Sequence, residues 1–306
     1  MRITVALTDN KPEPWLAGIR EALPGAIVEE WRPGAPQADY GIVWAPPQAF
    51  LDAQPGLKAL FNIGAGVDAL LKLRLPPEAL VVRLDDAGMS AQMAEFVCHA
   101  VIRHFRELDV YDQETAQGKW GFRRPRQRSD FPVGVMGLGV LGRRVAQALA
   151  AFEFPVRGWS RNRKEVPGVE CFAGAEQFDA FLAGTRVLVN LLPLTPGTEN
   201  VLNRETMGRL LPGGYVINVA RGAHLVDGDL LALLDSGHLA GAALDVFRTE
   251  PLPADHPFWR HPKVTVTPHT SARTLRDESI AQIAGKIRAF ERGEPIAGVV
   301  DRQRGY

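Results

Sequence analysis

The feature that most restricts the fold of this chain is a glycine-rich turn between two apolar segments. Residues 132–152 read PVGVMGLGVLGRRVAQALAAF. The letters before the turn have the character of a buried strand, and those after it have the spacing of an amphipathic helix. Gly137, Gly139 and Gly142 form G-x-G-x-x-G in the order strand, turn, helix that dinucleotide-binding turns require. The pattern predicts a parallel α/β sheet with a pyrophosphate at the helix N-terminus.

Each glycine has a distinct reason to be there. The first permits the tight turn, the second lets the backbone approach a pyrophosphate, and the third lets helix and strand pack closely. The simpler interpretation is that the glycines serve the turn alone. We predict cofactor contacts from the whole turn: Gly137, Leu138, Gly139, Val140, Leu141 and Gly142.

A basic stretch follows the next strand candidate. Residues 159–164 read WSRNRK, at a distance where an Asp or Glu usually holds the adenosine ribose of NAD. Ser160 and Arg161, with Arg163 and Lys164 beside them, suit a 2′-phosphate instead, because a guanidinium binds phosphate through two parallel hydrogen bonds. Trp159 or the stem of Arg161 could cover an adenine face. We therefore expect NADPH to be preferred over NADH; the alternative is a solvated basic loop.

Strand and helix patterns alternate along the chain. Residues 90–118 predict one long helix between two sets of strands. Alternation of this kind implies βαβ units and mostly parallel sheets. The expected fold class is α/β, with two Rossmann-like or flavodoxin-like domains, doubly wound parallel sheets, and the second domain inserted into the first. One large doubly wound domain is the alternative. The strand candidates are RITVAL, AIVEEW, YGIVWA, ALFNIG and LVVRL, then PVGVM, FPVRGW, GVECF, RVLVNLL, GGYVINV, GAALDV and VTVTP.

Charge and cysteine content exclude several classes of protein. Lys plus Arg and Asp plus Glu both number 35, so no overall field favours nucleic acid or an acidic membrane. The apolar runs are shorter than the roughly 20 residues that span a bilayer, and the N-terminus lacks the pattern of a signal peptide. Cys98 and Cys171 have no metal-ligand spacing. We expect a cytoplasmic protein without a metal site.

Three polar residues follow three successive strand candidates in the second domain. Arg221, Glu250 and His269 each come just beyond an apolar run. Each has a simpler interpretation by itself: a helix cap or surface residue, a turn residue, and a loop histidine. Because open α/β sheets bind ligands at the carboxyl ends of their strands, we predict that the three share one site.

These motifs together make the sequence resemble the D-isomer-specific 2-hydroxyacid dehydrogenases, and within them the glyoxylate/hydroxypyruvate reductase A branch. The resemblance implies a substrate domain of residues 1–97 and 275–306, an NAD(P)-binding Rossmann domain of residues 98–274, and a homodimer. The matching stretches are GAGVD (64–68), VRLDDAGM (82–89), MGLGVLGRRVA (136–146), LVNLLPLTPGTENVLN (188–203), INVARGAHLVD (217–227), LDVFRTEPLP (244–253), TPHTSA (267–272) and VDRQRGY (300–306).

The resemblance also assigns catalytic roles. His269 is expected to protonate the keto oxygen as hydride arrives, and Glu250 to hold the imidazole and favour its charged form. Arg221 is expected to bind the 2-oxo acid. These residue types suit the chemistry, since hydride addition builds negative charge on oxygen.

Binding positions follow from the same resemblance. Backbone N–H groups of Ala65, Gly66 and Val67 would hold the substrate carboxylate. Trp44 would form a pocket wall, with core filling as the alternative. Further cofactor contacts are expected from Leu191, Leu192, Pro193, Thr198, Val219, Ala220 and Asp245.

The expected activity is NADPH-preferring reduction of glyoxylate and hydroxypyruvate to 2-hydroxy acids. The stretch TSARTLRDES (270–279) departs from the usual apolar-rich run of the branch and leaves substrate preference open. Two alternatives to this activity remain. One is reduction of another, larger 2-oxo acid, and the other is a nucleotide-sensing binding protein on the same scaffold.

Overall fold

The structure, a computed structural model, describes residues 1–8 and 11–305. The chain divides into two compact units, Met1–Met89 with Arg273–Tyr306, and Ser90–Ala272. The second unit is thus inserted into the first. The boundaries expected from sequence were 97/98 and 274/275. A single helix continues through residues 89–105, so no local break in structure marks the first boundary.

The first unit is a parallel α/β sandwich. Its sheet has the strand order β2-β1-β3-β4-β5, in which every pairing is parallel. The order reverses beside β1, as in flavodoxin-like folds. The elements are β1 (Arg2–Leu7), α1 (Glu13–Ala22), β2 (Ile27–Glu30), β3 (Tyr40–Trp44), α2 (Gln48–Ala53), β4 (Ala59–Asn62) and β5 (Leu80–Val82), with the last helix of the chain, Arg276–Glu291.

The C-terminal segment completes this unit. The last helix buries Ile280, Ile283 and Ile287 against the sheet and α1. Beyond it, the backbone N–H of Val300 donates to the carbonyl oxygen of Val81 at 2.8 Å. The end of the chain is therefore an integral part of the first unit.

The second unit is a seven-stranded parallel sheet with helices. Its elements are α3 (Met89–Phe105), α4 (Leu108–Ala116), β6 (Val133–Met136), α5 (Val140–Ala151), β7 (Val156–Ser160), β8 (Val169–Ala173), α6 (Phe178–Ala183), β9 (Val187–Asn190), α7 (Arg204–Gly208), β10 (Gly214–Asn218), α8 (Asp227–Asp235), β11 (Leu239–Leu244) and β12 (Val264–Val266); the helix Arg276–Glu291 is α9. The strand order is β12-β11-β10-β9-β6-β7-β8.

This order has a switch point between β6 and β9, where ligands bind in open α/β sheets. The glycine turn follows β6 directly. Apolar side chains of β6, β9 and β10 are fully buried, which explains why their sequences lack polar alternation. All twelve predicted strands are present, and the predicted fold class is confirmed.

The long helix predicted for residues 90–118 is wrong in one respect, because it is broken into α3 and α4. Glu107 lies between them with φ +56°, in the left-handed region. Its carboxylate pairs with Arg126 at 2.9 Å and with Arg123 at 3.9 Å. Contacts with a distant segment thus stabilise a break that the local sequence, without Gly or Pro, does not indicate.

Two negative findings apply to residues 1–8 and 11–305. None of their helices combines the length and the apolar character needed to cross a bilayer. No group of three or more His, Cys, Asp or Glu side chains in this range has an arrangement that could hold a metal ion.

Candidate active site

The glycine turn has the geometry that its three glycines predict. Gly137 has φ +102°, and a Cβ there would lie 2.7 Å from the carbonyl oxygen of Leu191. A Cβ at Gly142 would lie 1.8 Å from the carbonyl oxygen of Gly137. Gly139 is the N-cap of α5, and a Cβ there would meet none of the described residues within 4 Å, chain neighbours aside. Gly137 and Gly142 are therefore required by packing, whereas Gly139 leaves the helix N-terminus accessible.

The other residues of the turn differ in burial. Leu138 is buried beside Gly158. A Cβ on Gly158 would lie 2.8 Å from the Leu138 side chain. Leu141 is half-buried and Val140 is exposed. Any phosphate contact from Leu138 must therefore come from its backbone N–H.

The basic loop begins at the end of β7, next to the turn. Ser160 is buried, and its hydroxyl donates to the carbonyl oxygen of Asn162 at 2.7 Å. Trp159 donates from Nε1 to the carbonyl oxygen of Gly174 at 2.9 Å, and its ring packs 4.8 Å from that of Phe178. The half-buried indole is thus held in place by Gly174 and Phe178. The side chains of Arg161, Arg163 and Lys164 are exposed.

The predicted contacts after β9 form a tightly bonded loop. Leu191 is half-buried, Leu192 is buried and Pro193 is exposed. The hydroxyl of Thr198 donates to the carbonyl oxygen of Pro193 at 2.7 Å and accepts from the backbone N–H of Thr195 at 2.8 Å. Thr198 therefore shapes this loop.

Val219 and Ala220 follow the neighbouring strand β10 and are both buried. The backbone N–H of Val219 donates to the carbonyl oxygen of Asn190 at 3.4 Å, which joins the loops after β9 and β10.

Asp245 is fully buried at the end of β11. Its Oδ1 accepts from the hydroxyl of Thr267 at 2.6 Å and from the backbone N–H of Thr270 at 2.8 Å. Its Oδ2 accepts from the backbone N–H of Ser271 at 2.8 Å. These bonds satisfy a buried carboxylate and fix the loop of residues 267–271.

That loop carries His269, whose φ of +54° is in the left-handed region. A non-glycine residue in this conformation costs about 1–3 kcal/mol and persists where its surroundings hold it. Here the backbone N–H of His269 donates to the carbonyl oxygen of Asp245 at 2.8 Å. Strain of this kind clusters at functional sites.

The imidazole of His269 is paired with Glu250. Nδ1 of the ring lies 2.8 Å from Oε2 of the carboxylate. The other carboxylate oxygen, Oε1, accepts from the backbone N–H of Phe247 at 2.9 Å. Because an ionised carboxylate only accepts hydrogen bonds, Nδ1 carries a hydrogen and Nε2 is the nitrogen left for proton exchange.

Arg221 follows β10, which lies beside β11. Its Nη1 donates to the carbonyl oxygen of Ala220 at 2.7 Å. Gly222 abuts the segment that anchors Glu250, since a Cβ there would lie 1.8 Å from the carbonyl carbon of Phe247. Arg221, Glu250 and His269 thus follow three adjacent parallel strands, as predicted.

Four of the six predicted substrate residues, Trp44, Ala65, Gly66 and Val67, lie in the first unit. Trp44 ends β3 with 37% of its surface exposed, and its ring covers Gly64, where a Cβ would lie 2.4 Å from Cζ3. Val67 is buried, while Ala65 and Gly66 are half-buried. Asn62, which the sequence did not suggest, donates from Nδ2 to the carbonyl oxygens of Gly64 and Gly66 at 3.0 and 2.9 Å. The amide holds this loop in shape.

Residues 98–271 match the family model described as D-isomer specific 2-hydroxyacid dehydrogenase, NAD binding domain. The chain belongs to this family. As in the family as a whole, the chain is an NAD(P)-dependent oxidoreductase of the 2-hydroxyacid dehydrogenase type. The resemblance inferred from the motifs is confirmed.

Relatives and solved structures in the family cover nearly the whole chain. The glyoxylate/hydroxypyruvate reductase A of Serratia proteamaculans is 50% identical over 301 residues, which is 96% of each chain. A D-isomer specific 2-hydroxyacid dehydrogenase from Xanthobacter autotrophicus, solved with NADPH and MES, is 40% identical with a TM-score of 0.95, and the match covers 100% of this chain and 99% of that one. An NADPH-dependent glyoxylate/hydroxypyruvate reductase from Sinorhizobium meliloti, solved with NADP and sulfate, is 36% identical with a TM-score of 0.92 and the same coverage.

Sequence reasoning missed three fully buried polar residues of this dehydrogenase: Asn190, Asn218 and His224. The two asparagines end β9 and β10 and pair in register. A polar residue that closes an otherwise apolar strand could have identified them. Nothing comparable marks His224, which lies in a short 3₁₀ turn, Gly222–His224.

Proposed function

We propose that the chain is an NADPH-preferring reductase of small 2-oxo acids, with glyoxylate and hydroxypyruvate as its first substrates. The observation that carries this proposal is the pairing of His269, in the loop after β12, with Glu250, in the loop after β11, at 2.8 Å. An imidazole held by a carboxylate is a suitable proton donor to a carbonyl oxygen. The relatives named as glyoxylate/hydroxypyruvate reductase A support the substrate class.

The glycine turn and the basic loop fit a phosphorylated dinucleotide. At Gly139, the absence of a side chain exposes the N-terminus of α5 to an anion. Arg161 follows the strand next to this turn, on an exposed loop with Arg163 and Lys164. We propose that the turn holds the pyrophosphate and the loop holds the 2′-phosphate. Structures of relatives with NADP or NADPH support this choice.

The dinucleotide, when bound, supplies a hydride from nicotinamide C4 to the carbonyl carbon of the acid. His269 supplies the proton to the keto oxygen from Nε2, since Nδ1 is committed to Glu250. Glu250 fixes the orientation of the ring through this hydrogen bond. The product is a 2-hydroxy acid, in the R form where C2 becomes chiral.

Arg221 is proposed to bind the carboxylate and the carbonyl oxygen of the substrate. A guanidinium suits this task because its fork of donors matches a carboxylate and opposes the charge that develops on oxygen. Backbone N–H groups of Ala65, Gly66 and Val67 in the first unit are proposed as carboxylate-binding groups. Trp44 is proposed to limit the size of the acid.

A panel of 2-oxo acids of increasing size, assayed with NADPH and with NADH, tests this function. We expect the highest kcat/KM for glyoxylate or hydroxypyruvate with NADPH. A clear preference for a larger acid would replace the substrate assignment and keep the reaction. NADPH binding without turnover of any acid would instead indicate a nucleotide-sensing protein.

We also propose that the chain forms a homodimer through the arm after α4. Trp120 is fully exposed and Phe122 is 84% exposed. The arm is anchored by Arg123, whose guanidinium pairs with Glu114 at 2.8 Å and whose backbone N–H donates to the hydroxyl of Tyr111 at 3.0 Å. Aromatic rings held in solvent by a fixed backbone suit an interface.

Sedimentation at micromolar concentration tests this assembly. We expect the wild-type protein to sediment at twice the chain mass of 33.5 kDa. Replacing both Trp120 and Phe122 by Ser should shift the observed mass toward that of a single chain. A wild-type protein at the chain mass would contradict the dimer.

We further propose a cytoplasmic location, where NADPH is available. Fractionation of the source cells tests this location.

A further inference from the structure

A buried polar network connects the loops after β9 and β10. Nδ2 of Asn190 donates to Oδ1 of Asn218 at 3.0 Å and contacts Nδ1 of His224 at 2.9 Å. Oδ1 of Asn190 accepts from the backbone N–H of Leu192 at 3.2 Å. Nε2 of His224 lies 3.3 Å from the carbonyl oxygen of Pro193. All three polar side chains are fully buried.

The hydrogen bonds determine the tautomer of His224. Since Oδ1 of Asn190 accepts from Leu192, its Nδ2 must be the atom that faces His224. An amide nitrogen only donates, so Nδ1 of His224 accepts and carries no hydrogen. The hydrogen of the neutral ring is then on Nε2, where it donates to Pro193. Every polar atom in this chain of bonds is satisfied in that form alone.

The same network reaches the base of Arg221. Nδ2 of Asn218 donates to the carbonyl oxygen of Arg221 at 3.0 Å, and Oδ1 of Asn218 accepts from the backbone N–H of Ala220 at 3.3 Å. The backbone N–H of His224 donates to the carbonyl oxygen of Arg221 at 3.2 Å. One set of bonds therefore holds both the loop at 191–193 and the loop at 219–221.

We propose that His224 is a positioning residue that couples cofactor binding to substrate binding. Its neutral Nε2–H form fixes the loop of residues 191–193 against the loop that carries Arg221. A dinucleotide seated on the first loop then sets the position of Arg221 for the 2-oxo acid. The inference rests on the proposed function, which assigns the cofactor to one loop and the acid to the other.

Two substitutions distinguish positioning from packing. His224→Phe keeps a ring of similar size and removes both polar contacts, whereas His224→Gln keeps one acceptor and one donor. His261→Phe is the matched control. His261 precedes β12 and so lies at the amino end of a strand of the same sheet, whereas His224 follows the carboxyl end of β10. Circular dichroism and thermal unfolding establish that each variant is folded at the assay temperature.

The quantity measured is the factor by which oxamate, an unreactive analogue of a 2-oxo acid, tightens NADPH binding in a fluorescence titration. We expect about tenfold or more in wild type, within the usual range for coupled sites. The factor should fall to near one in His224→Phe and stay near the wild-type value in His224→Gln and His261→Phe. In turnover, His224→Phe should raise KM for glyoxylate more than it lowers kcat.

Two results would overturn the proposal. A folded His224→Phe protein that keeps the wild-type coupling factor, even with weaker binding or lower thermal stability, would show that His224 only packs. Wild-type protein that binds NADPH and reduces glyoxylate but shows no coupling would also refute it. Failure of the wild type to bind NADPH at all would refute the proposed function first, and the two failures are thus distinguishable.

The protonated nitrogen of His224 can also be measured in the wild-type protein, so the proposal can be tested even if His224→Phe does not fold. Nitrogen-15 spectra of histidine-labelled protein report which ring nitrogen carries hydrogen, and the His224 signals are the ones missing from the His224→Gln spectrum. If that substitution does not fold, signal broadening by paramagnetic probes in solution distinguishes the fully buried ring of His224 from the exposed and half-buried histidines. We expect the neutral Nε2–H form. A hydrogen on Nδ1 would contradict the network and with it the proposal.

Discussion

At the scale of single residues, the hydrogen bond from Nδ1 of His269 to Glu250 decides which ring nitrogen can exchange a proton. Reduction takes a proton from this ring and oxidation of the hydroxy acid returns one, so loss of the imidazole is expected to impair both directions. His269→Ala is expected to lower turnover by about 10²–10⁴-fold. NADPH should still bind to this variant, which a fluorescence titration checks.

Glu250→Gln should have a milder effect on the rate than His269→Ala. The amide oxygen can still accept from Nδ1 of His269, but the amide nitrogen cannot accept from the backbone N–H of Phe247, so the ring is expected to be held less firmly. Steady-state rates of glyoxylate reduction should therefore show a lower kcat with little change in NADPH affinity. An unchanged kcat would show that Glu250 does not position His269.

Asp245 has two proposed roles, holding the loop of His269 and contacting the cofactor, and measurement can distinguish them. Its carboxylate accepts three hydrogen bonds from the loop that carries His269. Asp245→Asn places an N–H group among these donors, so we expect the loop to shift and kcat to fall by about ten- to a hundredfold, roughly 1.4–2.7 kcal/mol. The affinity for NADPH should change less than kcat. The reverse, weaker NADPH binding with unchanged kcat, would favour the direct cofactor contact predicted from sequence.

At the scale of elements, the loop after β7 is expected to decide the choice of cofactor. Arg161→Ala should remove a charge-assisted contact to the 2′-phosphate, at a cost of about 1.5–3 kcal/mol. KM for NADPH should therefore rise by about ten- to a hundredfold, and KM for NADH should stay nearly the same. Arg260→Ala, which removes an exposed cation just before β12, is the matched control. Equal changes for both cofactors would exclude a phosphate contact.

At the scale of the whole molecule, stability is expected to depend on a partly buried histidine beside the sheet. His104 stacks on Tyr215 with ring centroids 4.2 Å apart. Burial, aided by Arg126 and Arg186 and opposed by Asp109, lowers the pKa of His104 to about 4. In the unfolded chain the pKa returns to about 6.5. The unfolded state therefore binds more protons, and stability is lost as pH falls from about 6.5 toward about 4.

Urea unfolding near pH 7 and near pH 5 measures this loss, which is at most about 2 kcal/mol for this one group, since pH 5 lies about 1.5 units below the unfolded pKa and each unit is about 1.4 kcal/mol. His104→Phe keeps a ring against Tyr215 and removes the titration, so the difference between the two pH values should shrink. His261→Phe controls for the loss of a histidine elsewhere in the unit. An undiminished difference in His104→Phe would assign the acid sensitivity to other groups.

Features that depend on local pattern could be predicted from the amino-acid sequence alone. Alternating apolar runs and helical spacing specify the strands and helices, and the backbone demands of Gly137 and Gly142 specify the turn. The order of motifs was sufficient to place Arg221, Glu250 and His269 after neighbouring strands, since consecutive βαβ units leave the carboxyl ends of parallel strands at one edge.

The contacts by which distant segments fix that site could not be predicted and appear only in the folded structure. The break at Glu107 depends on Arg126, the carboxylate of Asp245 is satisfied by residues 267–271, and Asn190 meets His224 across two loops. In each case the partners are far apart in sequence, and a buried polar group is stabilised only when folding brings its partner within hydrogen-bond distance. Local propensity carries no signal for such pairs, because the energy that selects them exists only in the folded chain.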